Sequence, residues 1–375
     1  MTQPTSRPRP KIDDVAKEAG VSRGTVSRVL NGGHWVSPSA LEAVNAAIKK
    51  TGYRVNPHAR NLATNRANSV AFLLTETHDR LFEDPNFAVL LRGAADALAV
   101  HDIPLVLILA GTDDEQRRAT DFLTAGHVDG VLLVSSHATR KGIISDIISA
   151  GIPAISCGIP LGFEKKMGYV AADDYEGARD LLLYLRDAGR RRIATITGPQ
   201  DTSGGIRRLE AYRDDQGADI DEALIVHGDY SKESGAKGIR ELLDRAPDID
   251  AVFAANDLMA LGAMEVLHEA GRRTPEDVAV VGFDDISASS AATPALTTVR
   301  QPFERISEEM VRLLLDVING KRPAAITIPT ELWSGSQPDF PQAFPWSFCP
   351  ATGLCRALAL HIWTTTPYAG ATAAN

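Results

Sequence analysis

From Ser69 onward, short apolar runs alternate with amphipathic stretches, and this rhythm limits the fold more than any other feature of the chain. The runs SVAFLLT (69–75), IPLVLILA (103–110), DGVLLVSS (129–136) and IPAISCG (152–158) are separated by helical patterns at 88–100, 113–125 and 141–150. The rhythm then restarts. A helix at 177–188 leads to RIATITG (192–198), then LIVHGDY (224–230), AVFAAN (251–256) and VAVVGFD (278–284), with helices at 207–216, up to Arg245 and at 258–270. Apolar runs without polar alternation are buried on both faces, which requires a parallel sheet covered by helices on either side. The restart predicts two such lobes, and a last helix at 306–319 is expected to return to the first.

The first residues follow another period. Ile12, Val15, Ala16 and Ala19 share one helix face, Gly20 breaks it, and Ser22 is set to cap a second helix burying Val26, Val29 and Leu30. The exposed first turns of that helix carry Ser22, Arg23, Gly24, Thr25, Ser27 and Arg28, with Asn31 just beyond. Two short helices, a tight turn and polar side chains at the start of the second describe a helix-turn-helix, which offers those residues to base edges in a major groove. A plain helical hairpin has the same pattern. Ser37 and Pro38 open a third helix with Leu41, Val44 and Ile48 inward. Trp35, in the loop before it, reads either as a DNA contact or as a cover for the small core. Residues 1–10 read as a disordered arm.

Charge separates the two parts. Residues 1–66 hold 11 Lys and Arg against 4 Asp and Glu; the rest hold 28 against 44, for a net charge of −9. A basic head on an acidic body suits a protein that meets phosphate at one end. The 3 cysteines form no CxxC pair or zinc spacing, so no metal or disulfide framework is expected. No run of about 18 apolar residues exists to span a membrane. The N-terminus MTQPTSRPRPKID has basic residues without an apolar stretch behind them, so no signal peptide is read and a cytoplasmic location is expected.

The stretch DVAKEAGVSRGTVSRVLN resembles the DNA-reading head of the LacI family of transcriptional regulators, and the resemblance continues in order to about Leu332. It implies an all-α helix-turn-helix head at 11–54, a hinge helix at 55–68, and at 69–332 a two-lobed α/β body of the type I periplasmic-binding-protein kind. The hinge stretch YRVNPHARNLATNR would fold on DNA, with Ala59 on it and Leu62 wedged between base steps of the minor groove. Without the resemblance, Leu62 reads as a packing residue. The implied protein is a homodimeric repressor on a pseudo-palindromic duplex operator, controlled by a small effector of the carbohydrate class in the cleft beyond the strand ends. Within that cleft Arg208 matches the family's effector-reaching arginine, Asn256 its Asn-Asp-x-x-Ala-x-Gly segment and Asp284 its effector-binding carboxylate. Tyr230 stands where an aromatic stacks on a sugar, and Phe87 lies in an altered Asn-Pro-Phe-Phe segment. Arg and Asp suit vicinal hydroxyls, and an aromatic face suits the C–H side of a ring. By chemistry alone, Arg208 also reads as a salt-bridged helix residue, and Asn256 and Asp284 as turn or cap residues.

The competing classes have less behind them. No Walker sequence, HExxH, GxSxG elbow or strand-linked GxGxxG is present, and no cofactor is expected. Asp173–Asp174 reads as a helix cap or solvated loop rather than a catalytic pair. A secreted sugar-binding protein without a DNA role, the alternative reading, has no use for the basic head. The composition changes after Leu332: residues 333–375 hold three of the 4 tryptophans and only Asp339 and Arg356 among Asp, Glu, Lys and Arg. Family members usually continue there with a strand resembling Val-Val-Arg-Glu-Ser. Trp-Ser-Gly-Ser-Gln (333–337) spelled TGG TCC GGG AGT CAG becomes that sequence when one G is placed in front. A single-base frameshift is the expectation; a genuine divergent tail is the alternative.

Overall fold

The computed structural model describes residues 10–30, 35–53, 66–138, 141–218 and 220–335. Asn31, Ala59 and Leu62 lie outside these residues. In the head, α1 (Ile12–Ala19), α2 (Arg23–Leu30) and α3 (Pro38–Thr51) pack around Val15, Val26 and Val44, with Ala16 and Ala47 beside them. Gly20 ends α1 at φ 66°, a left-handed conformation that glycine adopts at little cost. Ser22 Oγ accepts the Thr25 amide at 3.1 Å, and Ser37 Oγ the Ala40 amide at 3.3 Å, so both serines cap. Leu41 departs from expectation. It is 39% exposed, and Ala47 completes the stripe instead, its small side chain fitting where α3 packs on α1. Trp35 is 95% exposed and covers nothing.

The body begins with β1 (Val70–Leu74), α4 (His78–Glu83), α5 (Pro85–Ala99), β2 (Leu105–Leu109), α6 (Asp113–Thr124), β3 (Gly130–Val134), α7 (Lys141–Ser149), β4 (Ala154–Cys157) and β5 (Gly168–Ala172). The chain then crosses to a second lobe: α8 (Asp174–Asp187), β6 (Ile193–Thr197), α9 (Ser203–Gln216), β7 (Ile225–His227), α10 (Lys232–Arg245), β8 (Ala251–Ala254), α11 (Asp257–Glu269), β9 (Ala279–Val281), α12 (Ser287–Ala291) and β10 (Thr298–Arg300). Helix α13 (Phe303–Ile318) and β11 (Ala325–Ile328) return to the first lobe, and β12 (Glu331–Trp333) goes back to the second.

The first lobe is a six-stranded parallel sheet ordered β11-β5-β4-β3-β1-β2. Successive side chains on a strand point to opposite faces. Phe72 and Leu74 therefore meet α5 and α13 through Leu90, Leu98, Met310 and Leu314, while Leu73 and Leu133 meet Leu123, Ile143 and Ile147 on the other side. The second lobe has the parallel order β7-β6-β8-β9, and bridges Val281–Thr297 and Asp284–Arg300 lead on to the antiparallel pair β10–β12. Ile196, Val252 and Val280 there pack with Ile239, Leu242, Met259 and Leu267.

The alternation is as expected, but the pieces that stitch the lobes together escaped it. Strand β5, Gly-Tyr-Val-Ala-Ala, has small residues and no long apolar run, and β10 and β12 span three residues each. Such strands gain definition only from pairing. The 224–230 run is a strand only at Ile225–His227, because Gly228 and Tyr230, the latter at φ 70°, turn the chain. Trp333 belongs to β12, opposite Thr298, so strand pairing continues past Leu332. No helix among the described residues is long and apolar enough to cross a membrane.

Where the linker meets the body it is firmly held. Asp129 accepts the Ala67 and Asn68 amides at 2.6 and 2.8 Å, and Arg66 reaches the Ile318 carbonyl and Asn319 at the end of α13, at 3.3 and 3.1 Å.

Candidate functional site

In both sheets the strand order reverses beside a central strand, β1 in the first lobe and β6 in the second, and the residues following the strands converge on one crevice. A cavity of about 160 Å³ lies there, lined by Arg208, Tyr230, Asn256, Asp284 and Phe87, so all five expected cleft residues come together. It is smaller than the roughly 300 Å³ at which small-molecule pockets usually begin, so a disaccharide enters only if the lobes part.

Arg208 is the organising group. On α9 and only 5% exposed, it donates through Nε and Nη2 to Asp174 Oδ1 at 2.9 and 2.7 Å, and through Nη1 to the Ala255 carbonyl. Its Nη2 lies 3.8 Å from Asp284 Oδ1, and its guanidinium carbon is 3.7 Å from the Phe283 ring centre. Burial alone favours the neutral form, but Asp174, Tyr230 and Asp284 outweigh it and keep the arginine charged. Asp284 sits at φ 118°, a backbone strain that only the surrounding structure can hold. Its carboxylate accepts Asn86 Nδ2 of the opposite lobe at 2.9 Å and also Gln301 Nε2. Burial pushes the Asp284 carboxyl well above the ordinary carboxylate range, against the pull of Arg208.

Asn256 acts one step back. Its Oδ1 caps α11 by accepting the Met259 amide at 3.0 Å, and its Nδ2 donates to the Tyr230 carbonyl at 3.0 Å. Both ends are thus engaged in fixing the turn that carries Tyr230, whose hydroxyl lies 3.4 Å from Thr202 Oγ1. Phe87 is buried in the α5 face of the first lobe and gives the cavity an apolar wall. Phe82 is instead 82% exposed.

Sequence reasoning missed Asp174, Asn86 and Gln301. Of the adjacent acids, Asp173 caps α8 by accepting the Glu176 amide, in line with the helix-cap expectation, but Asp174 turns inward to Arg208. Asp174 lies just past the end of β5, but Gly-Tyr-Val-Ala-Ala offers no apolar run that marks a strand end in the sequence. Cys157 also lines the cavity; burial raises its thiol to about 12, leaving the neutral form, which is a poor nucleophile. Together these groups place hydrogen-bond donors and carboxyl acceptors beside an aromatic face, without an activated nucleophile.

In the head, Ser22, Arg23, Gly24 and Arg28 are exposed on one helix, with Thr25 and Ser27 half-buried. Arg28 Nε returns to the Gly24 carbonyl at 3.3 Å, and Arg23 lies 3.9 Å from Asp13. These weak, solvated contacts leave both guanidinium groups able to turn toward phosphate or base.

Comparison with known proteins agrees with this layout. The family description "Bacterial regulatory proteins, lacI family" matches residues 11–56, and "Periplasmic binding protein-like domain" matches 182–336. The HTH-type transcriptional regulator CelR of Thermobifida fusca is 45% identical over 333 residues, 87% of this chain and 97% of that protein. AscG, an HTH-type transcriptional regulator of Escherichia coli K12, is 34% identical over 82% of this chain and 91% of its own length. Among solved structures, a CelR–cellobiose complex superimposes with a TM-score of 0.70 at 43% identity, covering 87% of this chain and 99% of that one. A lac repressor dimer bound to operator and the anti-inducer ONPF gives 0.76 at 26% identity, covering 88% and 98%. With a DNA-reading head, a two-lobed body and relatives matched along nearly their whole length, the chain belongs to the LacI family of DNA-binding transcriptional regulators and is not an enzyme.

Proposed function

We propose that the chain is a cytoplasmic, homodimeric repressor of a pseudo-palindromic operator and that cellobiose is its effector. The observation that carries the effector is the buried Arg208–Asp174–Asp284 cluster, in a chain 43% identical to a regulator described in complex with cellobiose. Paired hydroxyls on a pyranose ring match a guanidinium flanked by carboxylates, and Tyr230 covers the ring's C–H face. Dimerisation follows from the length of α2, since one short helix reads too few bases for useful specificity. Arg23, Thr25, Ser27 and Arg28 are the groove and phosphate contacts, with Asn31, Ala59 and Leu62 as the further DNA contacts.

Effector binding changes the spacing of the lobes. That movement reaches the hinge through Asp129 and Arg66, which tie residues 66–68 to the first lobe and to α13. The coupling is reciprocal: operator DNA alters cellobiose affinity by the same factor as cellobiose alters operator affinity.

The test is a thermal-shift titration with cellobiose and a panel of other mono- and disaccharides. Cellobiose at a hundredfold excess over its dissociation constant adds about 2.7 kcal/mol of stability, and Asp284→Asn abolishes the gain. A cooperative melt that no cellobiose concentration shifts overturns the assignment. We read the residues after Leu332 as a frameshifted end of the body. Resequencing the gene tests this, and codons incompatible with Val-Val-Arg-Glu-Ser in the shifted frame refute it.

A further inference from the structure

A second cluster of ionisable groups bridges the lobes apart from the Arg208 centre. Ser135, at φ 60°, turns the chain sharply after β3 and carries His137 toward the second lobe. There His137 Nδ1 lies 2.9 Å from Asp201 Oδ1, while its Nε2 lies 2.9 Å from Glu76 Oε1 of its own lobe. The Ala138 amide donates to the Asp201 carbonyl at 2.7 Å, so backbone and side chain cross the cleft together. Asp201 immediately precedes Thr202, the N-cap of α9; Thr202, Ser203 and Gly204 line the cavity with Glu76, and a later turn of the helix bears Arg208.

Both ring nitrogens of His137 face carboxylate oxygens, and an ionised carboxylate only accepts. A neutral imidazole has one N–H and would set its other lone pair against a carboxylate; the imidazolium donates to both. We propose that Glu76, His137 and Asp201 form an ionised latch between the lobes, so that closing the cleft takes up a proton.

The surrounding charges favour this state. Beside Glu76 stand the Ser135 hydroxyl, which donates to Oε1, and Arg80 of α4, with Asp84 farther along. Burial alone would lower the His137 pKa, but its hydrogen bonds to Glu76 and Asp201, and their charges, raise it. Burial alone would raise that of Glu76, but His137, Ser135 and Arg80 bring it below the ordinary value. When the lobes part, the imidazole keeps Glu76 of its own lobe but loses Asp201, so its pKa falls toward the ordinary value of about 6.5. The latch therefore contributes fully below the open-state value and is lost as pH rises through the higher closed-state value. Alkaline conditions loosen the cleft, and effector affinity falls with them.

The test uses the full chain and no sugar, so its failure is separate from that of the cellobiose assignment. NMR titration of the histidines, with the His137 signal identified by its loss in His137→Gln, reads the imidazole directly. Hydrogen exchange at the Ala138 amide, corrected for the intrinsic pH dependence, reads closure. The expected result is a His137 pKa above 6.5 that falls in Asp201→Asn. Ala138 protection should drop as pH rises through the wild-type value, and stay flat in both variants. A His137 that titrates at or below its ordinary value, or Ala138 protection that does not follow its titration, overturns the proposal.

Discussion

The recognition helix and the effector cleft both depend on arginine, but they place it in opposite surroundings. Arg23 and Arg28 stand in water on α2, held by little more than a 3.9 Å approach to Asp13 and a 3.3 Å bond to a backbone carbonyl. Arg208 is removed from water and satisfied by Asp174 from α8, the Ala255 carbonyl after β8 and Asp284 from the loop after β9. Exposed charge costs folding almost nothing and remains free for phosphate. Buried charge demands partners, and because these come from separate elements, whatever perturbs one is felt by the others. The head is built to be read out, and the cleft is built to be coupled.

The largest effect should come from breaking that difference at the cleft. Arg208→Ala leaves Asp174 and Asp284 buried without their cation, and urea unfolding of the body should lose roughly 3–5 kcal/mol. A loss below about 1 kcal/mol would mean that the cluster is not coupled as the geometry requires.

A smaller effect belongs to Asp257, which is fully buried and accepts from Ile286 N, Ser289 Oγ and Thr298 Oγ1 at 3.0, 2.6 and 2.6 Å. Burial raises its carboxyl to about 6 despite these bonds. A folded-state value above the unfolded one means that the native form holds the extra proton, so this group's contribution falls as pH rises. Between pH 5 and 7 the wild type should lose roughly 1 kcal/mol relative to Asp257→Asn. Denaturation midpoints of the two proteins across that range measure it, and parallel curves would refute it.

The smallest change in stability should come from the head. Arg28→Ala should alter unfolding by less than about 0.5 kcal/mol. It should nevertheless reduce the slope of log affinity against log salt on operator DNA by about 1. A large loss of stability instead would place Arg28 in the architecture of the head rather than at its reading face.

The cleft was legible in proportion to how local its signals are. Asn256 and Asp284 follow strands whose apolar runs are plain in the sequence, so counting past strand ends finds them, whereas Arg208, inside the helix after β6, is picked out by the family resemblance. Asp174 follows β5, whose Gly, Tyr and Ala residues give no run to count from. Asn86 and Gln301 lie 198 and 17 residues from the Asp284 they contact, and no period links such positions. His137 illustrates the same limit: in sequence it is one histidine after a strand, and only the fold sets Asp201 opposite it, 64 residues away.

The sequence alone determined the two-lobed alternation, the helix-turn-helix and the basic head on an acidic body, because periodicity, capping and charge are properties of neighbouring residues. Only the tertiary structure decided how Asn256 supports Tyr230, why Asp174 rather than Asp173 faces Arg208, and which groups join the lobes. Those are questions of burial and of contact between distant segments, and a buried polar group takes its partner from whatever the fold brings within reach.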